Sequence, residues 1–193
     1  MRLERKVALI TGGYGGMGRA SARLFAKEGA TVFIAGRNEE RGDALVAEIN
    51  EAGGKAHFVE LDVVKQDQWD GAIVHVKEHA GALHVLMNIV GSNALVRLPK
   101  VDIDEWNKIF EINVTGTLRG IQTCAPLIRE SGGGSIVNIG SVAASRATLA
   151  PATALPSGHL RDYRGPRRMC TPTGESAATS SSPVSSRPTS PRR

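Results

Sequence analysis

Along the first three quarters of the chain, short unbroken apolar runs alternate with longer stretches of helical period. Val7–Ile10 reads as a strand, and residues 16–29 read as a helix with Ala20, Leu24 and Phe25 on one side. Thr31–Ala35 is the next strand, followed by a helix through Ala44, Leu45 and Ile49 that stops at Gly53 and Gly54. Ala56–Leu61 is a third strand, Trp69–Val76 lies on a third helix, and Leu83–Val90 is a fourth strand. One long helix is predicted from about Asp104 to Glu130, with Gly116 and Gly120 inside it, and Ser135–Gly140 is a fifth strand. Strands apolar on both faces, alternating with helices, predict a doubly wound parallel sheet covered on both sides, an α/β three-layer fold. With nothing after the fifth strand to pair with it, the outer edge of that strand is expected to be bare and apolar.

This grammar stops after Ser141. The remaining residues show neither period and are rich in Ser, Thr, Pro, Gly and Arg, with Tyr163 as their single aromatic. Such a composition cannot bury enough apolar surface to offset the entropy of ordering it. The expected organisation is one domain over residues 1–150 and a disordered basic tail over residues 151–193.

Charge follows the same boundary. The net charge is +5, yet residues 142–193 alone hold eight arginines against Asp162 and Glu175, which leaves the preceding domain near neutral. The basicity therefore belongs to the tail. With no lysine and almost no interleaved aromatic residues, the tail is a poor candidate for nucleic-acid binding. Two cysteines, Cys124 and Cys170, are too few for a disulfide framework, and no run approaches a membrane span. Val7–Ile10 is too short for a signal-peptide core, so a cytoplasmic location without membrane association is expected.

The first chemistry lies between the first strand and first helix, in Thr11-Gly-Gly-Tyr-Gly-Gly-Met-Gly18. Glycines there allow a tight turn and a close backbone approach to a pyrophosphate, and the next helix aims its N-terminal amides at the phosphates. Gly12, Tyr14, Gly16, Met17 and Gly18 are the candidate cofactor contacts in this loop. At the end of the second strand, an acid normally holds the ribose 2′-hydroxyl of NAD. Gly36 occupies that position and Arg37 comes next, a cation suited to a 2′-phosphate, so NADP is expected and NAD is the alternative.

These residues, taken in order, resemble the short-chain dehydrogenase/reductase family over about residues 5–145. The Thr-Gly-x-x-x-Gly-x-Gly pattern is met by Thr11, Gly12, Gly16 and Gly18. The adenine-contacting acid after the third strand looks like Asp62, with Val63 beside it. The Asn-Asn-Ala-Gly strand end stands as Asn88-Ile-Val-Gly91, which keeps the first Asn and the Gly and changes the middle pair. Asn113 matches the family's helix asparagine, and Ser141 its catalytic serine. The resemblance implies an NAD(P)-binding Rossmann domain, hydride transfer between nicotinamide and a small carbonyl or alcohol substrate, and homo-oligomers among intact members. Asn113 and Ser141 are its catalytic candidates, and no residue is assigned to a metal.

The family's Tyr-x-x-x-Lys pair has no counterpart. A lysine cation there favours the phenolate and brings tyrosine within acid-base range. At the expected distance from Ser141 stand Thr153 and Ala154, and four residues later Ser157 and Gly158. Tyr163 comes too late, Arg167 cannot exchange protons as lysine does, and His159 lies in an aperiodic segment. A shift of reading frame near codons 143–152 accounts for this. Reading from the third base of each codon permits tyrosine at Thr153, lysine at Ser157, and a sixth-strand-like run with its Pro-Gly turn over Glu175–Ser190. A splicing difference or a tail in its own right are the alternatives. The chain as written is expected to lack turnover; the competing reading is a non-catalytic nucleotide- or partner-binding relative.

Overall fold

In the computed structural model, residues 1–93 and 102–141 are described. The tail boundary near residue 150, Cys170, and the positions of the expected tyrosine and lysine lie outside them. Chain order is β1 (Val7–Thr11), α1 (Gly16–Lys27), β2 (Thr31–Gly36), α2 (Glu39–Glu51), β3 (Lys55–Glu60), α3 (Gln66–Ala80), β4 (Val85–Asn88), α4 (Ile103–Phe110), a π-helical turn (Glu111–Thr115), α5 (Gly116–Glu130) and β5 (Ser135–Asn138). The five strands are parallel in the order β3-β2-β1-β4-β5, so the winding reverses between β1 and β4.

Side chains alternate across the sheet, and each face meets its own pair of helices. Ile10, Val32 and Ile34 pack with Ala22 and Ala26 of α1 and with Leu45 and Ile49 of α2. On the opposite face, Leu9, Phe33, Val59 and Leu86 pack with Trp69 and Val76 of α3 and with Cys124, Leu127 and Ile128 of α5. Trp69 is fully buried and donates its indole N–H to the Val63 carbonyl at 3.0 Å. A Cβ on Gly120 would stand 2.9 Å from the Trp69 ring, so the missing side chain on α5 is what seats that indole. Burial also pushes the Cys124 thiol up to about 12, which makes it a packing residue without nucleophilic character.

Two expectations change. The buried side of α1 is Gly18, Ala22 and Ala26; Ala20 is exposed and Leu24 is 48% exposed. Small residues face the sheet because α1 lies too close to it for larger ones. The predicted single helix over residues 104–130 is two α-helices joined by the π turn. Among the described residues β5 pairs with β4 alone, and Ile136 and Val137 are exposed, in keeping with the expected apolar edge.

A stack of rings fills the space between β2, β3 and α3. Phe33 lies 5.0 Å from His57, His57 lies 5.3 Å from His79, and His79 lies 4.0 Å from His75. Burial, then the neighbouring histidines, hold His57 below the ordinary imidazole range; burial and His79 do the same for His75 against the opposing pull of Glu78. His84 is also lowered by burial, and its Nδ1 accepts the Val7 N–H at 3.1 Å, a bond available only while that nitrogen carries no proton. All three rings favour the neutral form in the fold. Their stabilisation is complete above the unfolded imidazole value of about 6.5 and is lost as pH falls through the lowered folded values. The urea midpoint should therefore be level above about pH 7 and fall between about pH 6.5 and 5, less so in His75→Phe. A midpoint level down to that lower pH would show that the rings titrate freely.

Candidate functional site

The reversal of winding beside β1 opens a crevice at the carboxyl ends of the strands, where ligands enter sheets of this kind. Thr11 closes its floor: its hydroxyl accepts the N–H groups of Ile89 at 3.0 Å and Val90 at 3.3 Å, tying the end of β1 to the chain leaving β4. Gly12 turns the chain at φ +63° and donates its N–H to the Ala35 carbonyl at 2.8 Å. The loop then folds back, with the Gly15 N–H on the Gly12 carbonyl at 3.0 Å.

Backbone-to-backbone packing sets the position of α1 over this loop. A Cβ on Gly13 would stand 3.0 Å from Ile34 Cγ2, and one on Gly18 would stand 2.7 Å from the Gly13 Cα and closer still to the Gly12 carbonyl oxygen. α1 is N-capped by Gly15, and no side chain caps its first turn. The first-turn amides are therefore left to an external acceptor, and the glycine cradle admits one closely. These features fit the pyrophosphate of a dinucleotide. Gly12 and Gly18 are required by the backbone itself. Gly16 has nothing within 4 Å of its missing Cβ, and Met17 is 60% exposed on the open side.

At the end of β2, the phenol oxygen of Tyr14 accepts the N–H groups of Arg37 at 2.9 Å and Asn38 at 3.0 Å. The Arg37 side chain is 75% exposed, with Nη1 4.0 Å from Asp62 Oδ2. Asp62 in turn receives the Val64 N–H at 3.3 Å, while its own N–H binds Gln68. Val63 points the other way: its side chain is buried in the core, against Gly116. Only the backbone of Val63 is left to face a cofactor.

At the end of β4, Asn88 is buried and donates to Asn138 Oδ1 at 2.9 Å, joining the ends of β4 and β5. Gly91 leads to Ser92, which Asn113 clamps from both sides. The Asn113 Nδ2 donates to the Ser92 carbonyl at 2.8 Å, and its Oδ1 accepts the Ser92 N–H at 2.7 Å. Asn113 sits inside the π turn, where the widened backbone reaches toward Ser92, and Thr117 Oγ1 caps the Asn113 carbonyl at 3.0 Å. Arg119 pairs with Glu111 at 2.5 Å and holds that carboxyl below its usual range. Beside Ser92 opens a cavity of about 370 Å³ lined by Asn93, Asp104, Glu105, Lys108 and Ile109. Ser141, half-buried, ends the described segment three residues past β5.

Three participants escaped the sequence reading. Thr11 belongs to the loop motif, yet its hydroxyl serves the neighbouring strand. Ser92 and Asn138 had no signal beyond standing next to assigned residues. Tyr14 was placed in the loop by position, but its double bond to the next βα turn depends on tertiary approach.

The sequence profile described as short chain dehydrogenase matches residues 6–152. The chain is 44% identical over 141 residues to 2,5-dichloro-2,5-cyclohexadiene-1,4-diol dehydrogenase of Sphingobium indicum, covering 73% of this chain and 56% of that one. Cyclopentanol dehydrogenase of Comamonas testosteroni is 40% identical over 141 residues, with the same coverage of 73% and 56%. The 3-alpha-(or 20-beta)-hydroxysteroid dehydrogenase of Mycobacterium tuberculosis is 37% identical over 149 residues, 77% of this chain and 56% of that one. The crystal structure of gox2181 superposes with a TM-score of 0.81 at 26% identity, over 84% of this chain and 65% of that one. The chain thus spans about half the length of the curated relatives it matches. Among the described residues, no helix is long and apolar enough to cross a membrane. Match, crevice and parallel sheet agree, and the chain belongs to the short chain dehydrogenase family.

Proposed function

We propose that this chain binds NADP(H) in the crevice and carries part of the apparatus for hydride transfer to or from a cyclic secondary alcohol or its ketone. The three relatives support the substrate class, since each acts by name on a ring-borne hydroxyl. The observation that carries the cofactor choice is the end of β2, where Gly36 offers no carboxylate for a 2′-hydroxyl and the Arg37 guanidinium stands exposed. When bound, the nicotinamide supplies or accepts the hydride. Gly12 and Gly18 make room for the pyrophosphate, and the uncapped first turn of α1 binds it. Asp62 faces the adenine. Asn88 and the Asn113–Ser92 clamp hold the backbone against which the nicotinamide ribose rests. Ser141 donates its hydroxyl to the substrate oxygen and stabilises the charge that gathers there.

The proton has no matching donor. Thr153 and Ser157 stand where the family's tyrosine and lysine belong, and loss of general acid catalysis typically removes about 10²–10⁴ in rate. Binding and turnover are thus separated: a cofactor-binding domain over residues 1–150, in the cytoplasm, without catalytic completion in this reading frame.

NADPH should bind more tightly than NADH when both are titrated by nicotinamide fluorescence, and Arg37→Asp should reverse the order; equal affinities would sink the cofactor choice. NADPH oxidation with cyclopentanone should be undetectable in this chain and should appear when one base is inserted or deleted near codons 143–152. Turnover in the unaltered chain would refute the missing acid, and a repaired frame without a Tyr-x-x-x-Lys pair would refute the frameshift.

A further inference from the structure

Tyr14 does more than line the glycine loop. Its oxygen binds two successive backbone amides, those of Arg37 and Asn38, at 2.9 and 3.0 Å. Asn38 caps α2 through the Arg41 N–H at 2.8 Å, and the Arg41 guanidinium lies over the Tyr14 ring, 5.1 Å from its centroid. Ring, turn and first helical turn form one unit. Into that unit the sequence places Gly36. A Cβ there would stand 2.7 Å from Tyr14 Cζ, 2.8 Å from its oxygen, and nearer still to Cε1. A phenol side chain could ordinarily swing away from such an intruder. Here it cannot do so without giving up both amide bonds and the stacked cation.

We infer that Tyr14 is a specificity-determining residue: its ring fills the volume that a ribose-binding carboxylate at position 36 would need, and it holds Arg41 on the turn that carries Arg37, so that two guanidinium groups meet a 2′-phosphate. The inference rests on the NADP(H) reading of the crevice and deepens it. Selection against NAD is then steric as well as electrostatic. An acid cannot be restored at position 36 by one substitution, because residues 14 and 36 compete for the same space.

The full-length chain and its Gly36→Asp, Tyr14→Ala and doubly substituted forms test this through urea midpoints and through NADH and NADPH dissociation constants from nicotinamide fluorescence. Gly36→Asp alone should lower the midpoint and leave NADH binding weak. Adding Tyr14→Ala should recover part of the midpoint and tighten NADH by about tenfold to a hundredfold over Gly36→Asp alone, the scale of a charge-assisted hydrogen bond. Arg41→Gln should weaken NADPH about tenfold and leave NADH unchanged. If Gly36→Asp fails to fold, Gly36→Ala with and without Tyr14→Ala reads the same steric coupling from the midpoints. Additive midpoints, or a Gly36→Asp protein as stable as the parent and binding NADH as well as the double variant, would overturn the inference. A parent that does not prefer NADPH would sink the cofactor reading instead, while the coupling of midpoints between positions 14 and 36 would still report on the exclusion.

Discussion

The structure depends on a contact between two pieces of backbone. Gly18, in the first turn of α1, rests on Gly12 and Gly13 at a separation that leaves no room for even a methyl group. That approach brings α1 down onto the sheet, which is why its buried side is made of Gly18, Ala22 and Ala26. It also turns the first amides of the helix toward the crevice. The same loop holds Tyr14 against β2, and Thr11 at its start holds the departing end of β4. Packing and ligand geometry are thus the same requirement, expressed twice.

The order of elements and the layered sheet were legible because apolar runs buried on both faces leave a plain periodic trace. The glycine loop, Asp62, Asn113 and Ser141 were legible because their spacing is characteristic. What escaped has physical reasons. The inward side of α1 is hidden in the sequence because small residues carry little hydrophobic signal, so Leu24 and Ala20 outweigh Ala22 and Ala26. The π turn leaves no compositional mark, since one residue added to a helix changes neither propensity nor polarity. Tyr14 could be placed in the loop, but nothing local announces that its hydroxyl reaches the turn after β2. The Asn113–Ser92 clamp joins residues twenty-one apart in sequence and has no periodic signature.

Two ends of the crevice are built on different principles. Around Tyr14, Arg37 and Arg41, charge sits on exposed side chains over a rigid turn, so the region is set for an anion in solvent and is sensitive to ionic strength. Around Asn88, Asn113 and Ser92, neutral amides are buried and pair with one another or with backbone, so geometry is fixed and charge is absent. A dinucleotide laid across them would be selected at one end and aligned at the other.

The π turn at Glu111–Thr115 bears on how this chain can vary over generations. Each residue in a helix advances the azimuth by about 100°. Losing one codon within the turn would let the helix run straight on, and it would also rotate α5 by that angle. Gly116 would leave Val63, Gly120 would leave the Trp69 ring, and the buried Cys124, Leu127 and Ile128 would swing toward solvent. Asn113 would lose Ser92 in the same step. Changes of letter are tolerable on the outer face of this helix pair, whereas changes of length are not. Lineages carrying the fold are therefore expected to keep residues 111–115 free of insertions and deletions, even where the neighbouring loops differ in size.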